Sequence, residues 1–305
     1  MEILEAVGLG PTGQAWTVAP GYLARRRALD RVMRVALFFP AALSVFVTTA
    51  IVFILVSESW GFFAKVPLIE FLTDTQWTPV FAQPRFGILP LLTATFWTTG
   101  IALAVALPLG ALLMIYLSEY ASKAVRETVK PVLELLAGVP TVVYGYFALL
   151  FLTPLLQTLV PELGGLNLLV PGIVLGIMIL PTVVSISEDA MRAVPASLRE
   201  GGYALGMTRW QVALRVVVPG ALSGIIAAYL LGMSRAIGET MVLAIAAGQN
   251  PNLTANPLEG AATITAYIVQ MSLGDLPHGS LEYQSIFAVG LALFVITLLF
   301  NVAGF

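Results

Sequence analysis

Stretches free of Asp, Glu, Lys and Arg recur along the chain at 35–57, 86–118, 135–161, 163–187, 216–234, 240–258 and 283–305. Crossing the ~30 Å hydrocarbon core of a bilayer takes about 20 helical residues, so most of these runs are long enough to span it. The pair 216–234 and 240–258 needs arbitration, because only residues 235–239 separate the two and the second decays into the polar, turn-rich GQNPNLTANP at 248–257. The apolar remainder after Glu239 is too short to cross alone. The pattern therefore predicts one helix over 220–247, about 42 Å long at 1.5 Å per residue. It carries Arg235 and Glu239 into the membrane, four positions apart and hence on one face. The expected architecture is all-α and polytopic, with six transmembrane helices at about 35–57, 88–117, 135–157, 166–187, 220–247 and 284–305.

Composition fits that pattern. Of the 305 residues, 58% are hydrophobic and only 10% charged, against roughly 25% charged in soluble domains. Mean hydropathy is +0.92, which excludes a water-soluble enzyme. The basic residues sort by side. Arg25, Arg26, Arg27, Arg31 and Arg34 precede the first span, Lys123, Arg126 and Lys130 lie between the second and third, and Arg192, Arg199, Arg209 and Arg215 between the fourth and fifth. Only Lys65 and Arg85 fall on the other side. The excess of positive charge places both termini on the cytoplasmic side of the membrane. Residues 1–34 form a cytoplasmic N-terminal segment and 35–305 the membrane domain; the 23-residue apolar run 35–57 is too long for a signal-peptide core and reads as a retained span. A net charge of −2 offers no surplus for nucleic acid.

Candidate chemistry is sparse. With no Cys and a single His, His278, the chain has no means to build a thiolate cluster, a disulfide framework or a multi-His zinc site. Its three lysines, Lys65, Lys123 and Lys130, follow Ala, Ser and Val, so no P-loop is present. The Gly-x-Ser at 232–234 has no histidine base in the membrane with it. No catalytic residue, metal site or cofactor is expected.

Two segments on the side poor in basic residues are long, 58–87 and 248–283, and are expected to cap an entrance. Trp60, Phe62, Phe63, Trp77 and Phe81 read as an aromatic belt at the membrane interface. Gly172 with Gly176 and Gly220 with Gly224 make GxxxG pairs suited to close helix packing. PTVV occurs at 140–143 and again at 181–184, a faint hint of duplication.

Residues 188–215 form the longest segment on the basic side. Pro195 and Ser197 open a helix expected through about Leu205, Gly206 permits a sharp break, and Thr208 caps a second short helix. The result is a compact protruding knob. Gly201 and Gly202 leave its surface free of bulk for a partner's backbone, and Glu200 offers a carboxylate. Glu200-Gly201-Gly202, three residues, Gly206, nine residues and Val216-x-Val218-Pro219 resemble the "EAA" loop of ABC-transporter permeases, with Gly-Gly in place of Ala-Ala. Further stretches, ELLAGVPTVVYGYF at 134–147, SRAIGETM at 234–241 and TAYIVQMSLGDLPHGSLEYQSIFAVG at 265–290, resemble the permeases of the phosphate-specific (Pst) system, closest to the PstC type. The likeness covers about 90–305. It implies a type I permease bundle, a second permease of the PstA type, two ATPase subunits docked on Glu200, Gly201, Gly202 and Gly206, an extracytoplasmic phosphate-binding protein, and phosphate as cargo.

In that setting Arg235 reads as the anion contact of the permeation path, its planar fork suited to two phosphate oxygens. Glu239 limits how tightly the anion is held or accepts its proton, and Ser234 and Thr240 add hydroxyls. The rival is an Arg235–Glu239 pair that only holds the bundle. A permease for another oxyanion and a passive anion channel or carrier are the alternative functions.

The absence of native cysteine makes topology directly testable. Single cysteines at Gly201 and Leu258 are expected to react with impermeant thiol reagents from opposite faces of the membrane, and labelling of both from one face excludes the six-span arrangement.

Overall fold

Residues 20–303 are described by a computed structural model; the first 19 residues of the expected N-terminal segment and the last two of the sixth span lie outside the described residues. Two compact units divide the chain, Met1–Ile54 and Leu55–Phe305. Helix α1, Pro20–Phe63, supplies the described part of the first as far as Ile54, and its last turns belong to the second. None of its spanning window is buried, and Leu37, Phe38, Phe39, Phe46 and Phe53 are all exposed. Apolar side chains exposed around that stretch suit contact with lipid chains or with another polypeptide.

The second unit follows in chain order: α2 Leu68–Thr73, α3 Leu89–Ile115, α4 Lys123–Ala137, α5 Thr141–Phe147, α6 Thr153–Gln157, α7 Leu169–Ala193, α8 Ala196–Ala204, α9 Arg209–Val212, α10 Val218–Gly220, α11 Leu222–Ile237, α12 Met241–Ala246, α13 Ile264–Ser272 and α14 Leu281–Ala303. Single π-helical turns extend α3 through Tyr116–Tyr120, join α5 to α6 through Ala148–Leu152, and join α9 to α10 through Ala213–Val217. Four helical runs are each long and apolar enough to cross a membrane: Arg25–Phe63, Leu89–Tyr120, Leu169–Ala193 and Leu281–Ala303. Two further candidates are bent pairs, Lys123–Ala137 with Thr141–Gln157 at 85° and Arg209–Gly220 with Leu222–Ile237 at 73°. Counting each bent pair once gives the expected six.

Two boundaries differ from the sequence expectation. The third span was expected from 135, but the chain turns sharply at Gly138-Val139-Pro140. The proline forces Val139 out of helical geometry, so α5 begins at Thr141 and α4 is a separate amphipathic helix with no fully buried residue. The fifth was expected as one helix over 220–247, but α11 ends at Ile237 and α12 starts at Met241. The two PTVV motifs also part company, since Pro140 caps α5 whereas Pro181 lies inside α7.

Helix α7 is the centre of the unit. Val170, Val174, Leu175, Met178, Ile179, Val183, Val184 and Met191 are buried along it. It meets α3 through the first GxxxG pair, as the pattern predicts. A methyl on Gly172 would lie 2.9 Å from Ile101, and one on Gly176 2.7 Å from the Ala102 carbonyl and 2.8 Å from Val105. On its other side Gly232 of α11 packs on Val183, and Gly224 on Ala190. Without a hydrophobic driving force in lipid, such close backbone approach is what holds helices together.

At the end carrying residues 58–87, Phe62, Phe71, Trp77, Phe86 and Tyr267 are packed edge to face with centroids 5.0 to 6.2 Å apart. Trp77 and Phe86 also form a β-bridge. Phe62 and Trp77 are thus core residues, contrary to the belt reading, whereas Trp60 and Phe81 are 78% and 68% exposed and fit it. Burying an aromatic ring here gains more area than leaving it at the interface. Tyr267 hydrogen-bonds Ser285 at 2.7 Å, and Ser285 donates onward to the Glu282 carbonyl, so the phenol is the donor. Burial pushes its pKa up to about 12, which keeps that proton in place.

The α3–α7 seam predicts that Gly176→Leu destabilises the folded chain by about 1–3 kcal/mol or more through overpacking. Gly100→Leu on the same α3, where no atom lies within 4 Å of an added Cβ, is expected to be neutral. Thermal unfolding of detergent-extracted protein compares the two.

Candidate functional site

Helix α11 is apolar until its last turn, where Ser234 and Arg235 stand, and it closes on Gly238. Glu239 follows. Continuing the helix would have buried this carboxylate without donors. Instead the chain breaks, and one Glu239 oxygen accepts the Met241 and Val242 N–H groups at 3.1 and 3.4 Å. A helix start leaves such N–H groups unpaired and favours negative charge beside them. The Glu239 carbonyl, freed by the break, accepts Thr265 Oγ1 at 2.6 Å, and Thr240 Oγ1 donates to the Gly238 carbonyl at 3.2 Å. These bonds supply partners for several of the backbone groups that the break exposes, and Glu239 is only 8% exposed.

Arg235 and Glu239 do not share a helix face, because the helix ends between them, and no ion pair joins them among the described residues. Arg235 is exposed in this chain, and its Nη1 donates to Thr182 Oγ1 of α7 at 3.3 Å. A guanidinium at the exposed side of an apolar helix has no stable place against lipid tails; it faces a watery path or another polypeptide. The Ser234 hydroxyl is buried with no partner. Arg235, Ser234, Glu239 and Thr240 thus cluster around the break, and Thr182 joins them. Sequence reading missed Thr182, which directly follows Pro181 inside α7.

The knob forms as the pattern predicts. Pro195 opens α8, Gly206 turns with φ +78°, and Thr208 and Gln211 make a reciprocal cap, Thr208 N–H to Gln211 Oε1 at 2.9 Å and Gln211 N–H to Thr208 Oγ1 at 3.4 Å. Residues 188–193, expected in the knob, are instead the last turns of α7. Glu200 and Gly201 are exposed, and nothing lies within 4 Å of a Cβ added at Gly201. Gly202 is different. It is buried, and a Cβ added to it would lie 3.0 Å from Val212, so it serves contact between α8 and α9 rather than an open surface. The apolar outer surface comes from residues that sequence reading did not single out: Leu198, Tyr203, Trp210 and Leu205, the last 84% exposed.

Between the knob and the spans lies a charge cluster that counting basic residues alone had hidden. Glu188, 1% exposed, sits within 3.0 to 3.7 Å of Arg126, Lys130 and Arg192. Lys130 also reaches Asp189, and Arg126 donates to the Leu117 and Ser118 carbonyls at the end of α3. Its signal was available in the two consecutive acids that follow an apolar run. Among the described residues no group of His, Cys, Asp and Glu is arranged to hold a metal ion.

Comparison with known proteins gives this geometry its setting. Residues 106–304 match the family described as the inner membrane component of binding-protein-dependent transport systems. The chain is 40% identical to the probable ABC transporter permease protein YqgH of Bacillus subtilis (strain 168), over 76% of this chain and 75% of that one. It is 36% identical to the phosphate transport system permease protein PstC of Mesorhizobium japonicum, over 75% of both, and 33% identical to the PstC protein of Haemophilus influenzae, over 84% and 86%. In fold it resembles a solved bacterial ABC transporter involved in import of the acidic polysaccharide alginate, with a TM-score of 0.60, 17% identity and coverage of 91% and 98%. The MetNI methionine ABC transporter follows at 0.52 and 21%, covering 72% and 91%. An all-α bundle of the type I ABC permease fold, a knob of the EAA pattern and these relatives agree: the chain is a multi-pass membrane protein of the binding-protein-dependent transport family, and within it a permease of the PstC type.

Proposed function

We propose that this chain is half of the translocation path of an ATP-driven importer of inorganic phosphate. A second, PstA-like permease completes the path, two ATPase subunits dock on the knob and hydrolyse the ATP, and an extracytoplasmic binding protein delivers phosphate. The chain itself needs no cofactor. Both termini lie in the cytoplasm, with the knob, and the aromatic cluster faces outward. The observation that carries this reading is the exposed Arg235 guanidinium, which donates to Thr182 and, among the described residues, has no carboxylate as an ion-pair partner. Such a group offers two parallel N–H donors to a tetrahedral oxyanion. Thr240 supplies a hydroxyl at the same break, and Ser234 a second one that is buried behind the surface until the path opens. Glu239, fixed by the α12 N–H groups, keeps a negative charge near the anion, which prevents it from being held too tightly to be released.

Uptake in vesicles containing the whole complex tests the assignment. Arg235→Lys keeps charge without the fork and is expected to retain part of the phosphate uptake, whereas Arg235→Gln loses nearly all, at normal assembly. Glu239→Gln preserves an acceptor for the α12 N–H groups and is expected to assemble normally. The double variant Arg235→Gln/Glu239→Gln stays inactive if the guanidinium meets phosphate. Recovered uptake in the double variant shows that the two charges only balance each other, and preference for sulfate over phosphate would move the chain to another oxyanion.

Docking has its own test. Gly206 adopts a backbone conformation that β-branched residues avoid, so Gly206→Val is expected to distort the knob, reduce recovery of the ATPase subunit with the membrane complex and abolish uptake. Full recovery together with transport-coupled hydrolysis would refute docking at this loop.

A further inference from the structure

We infer that Arg199, one residue before the exposed Glu200, is the positioning residue that ties the knob to the two central spans, because its guanidinium bonds α8 at once to the end of α7 and to the end of α3. The inference rests on the reading of the knob as the ATPase docking surface. Arg199 lies on α8 and is largely covered, with 19% of its side chain exposed. Its Nη1 donates to the Val194 carbonyl at 2.5 Å and its Nη2 to the Met191 carbonyl at 2.8 Å, two acceptors at the end of α7, the second of which also accepts the Val194 N–H at 3.2 Å. Nε and Nη2 also reach one oxygen of Glu119, at 3.4 and 3.2 Å. Glu119 belongs to the π-helical turn that finishes α3, and its side chain is 7% exposed. Ser118 Oγ donates to the same oxygen at 2.9 Å and fixes its position.

One planar group thereby spends four of its five N–H donors on three acceptors at the ends of two helices. Lysine has no equivalent, since its single ammonium does not extend a flat fork in two directions. The helices so joined are those that matter for the path. Helix α7 carries Thr182, which holds Arg235, and α3 packs along α7 through Gly172 and Gly176. A shift of the knob is therefore passed to both as a displacement of their ends, and loop slack between Val194 and Ala196 does not absorb it. Ion pairs this well covered are costly to leave half made, which makes the link stiff rather than strong.

The experiment uses the complete complex in vesicles, with its second permease, ATPase and binding protein, and measures phosphate uptake, ATP hydrolysis and ATPase recovery together. Arg199→Gln is expected to leave ATPase recovery unchanged and hydrolysis within about twofold of the parent, while uptake per ATP hydrolysed falls about tenfold, within the usual span of coupling between sites. Glu119→Gln is expected to show the same uncoupling, and Arg199→Lys a smaller one. An unchanged uptake-to-hydrolysis ratio overturns the inference, even where the melting temperature of the complex drops, because a merely structural role moves stability and not the ratio. Loss of the ATPase from Arg199→Gln overturns it too, by making Arg199 a docking contact. If Arg199→Gln fails to assemble, Glu119→Gln decides alone, since it leaves both α7 carbonyls bonded. Failure of the docking reading shows separately, as ATPase recovery that survives Gly206→Val whatever the Arg199 variants do.

Discussion

A bilayer supplies no hydrogen bonds, so a helix inside it stops only where side chains can replace the lost backbone partners. That constraint shapes the break between α11 and α12. Glu239 serves the N–H groups of the new helix, Thr265 serves the carbonyl of Glu239, and Thr95 receives the N–H of Ile264 where the chain returns. With the backbone satisfied, the polar side chains around the break are released from structural duty in different degrees. Arg235 has one neutral hydroxyl for company. Glu239 is already engaged.

The same economy governs α7. Its buried length leaves little room for polar groups, and the small residues facing it, Gly232 and Gly224 on α11 and the Ala102 backbone on α3, let three helices approach closely. Polar contacts are confined to its ends and to Thr182. At the knob end they are numerous. Glu188 gathers three basic side chains, and Arg199 takes the last carbonyls. A seam of this kind tolerates sliding of whole helices better than repacking of single side chains, which suits an element that passes displacement rather than storing it.

The spans were legible because lipid imposes length and apolarity on every residue of a crossing, and the knob because turn chemistry is local: Gly206 and Thr208 state their roles by type and spacing. What remained hidden depends on partners distant in sequence. Arg235 and Glu239 look like neighbours on a helix until Gly238 ends it, and no pattern announces that a carboxylate will serve the next helix's N–H groups. Gly202 has the same residue type as Gly201 yet points the other way, toward Val212. Phe62 and Trp77 carry the composition of an interface belt, and only the fold around Tyr267 and Phe86 draws them inside. Arg199 and Glu119 are 80 residues apart, beyond the reach of any local rule.

The exposed face of the knob bears on how the chain is made as well as on how it works. Leu205, Trp210, Leu198 and Tyr203 present apolar surface to water, while Arg235 presents charge from an apolar helix. The first calls for cover by another polypeptide, and the second for another polypeptide or a watery path. A copy synthesised without its partners is thus unsuited to both of its solvents, and its lifetime in the cell is tied to the rate at which the other subunits are supplied. Balanced production of the subunits is, on this view, a demand of surface chemistry before it is one of transport.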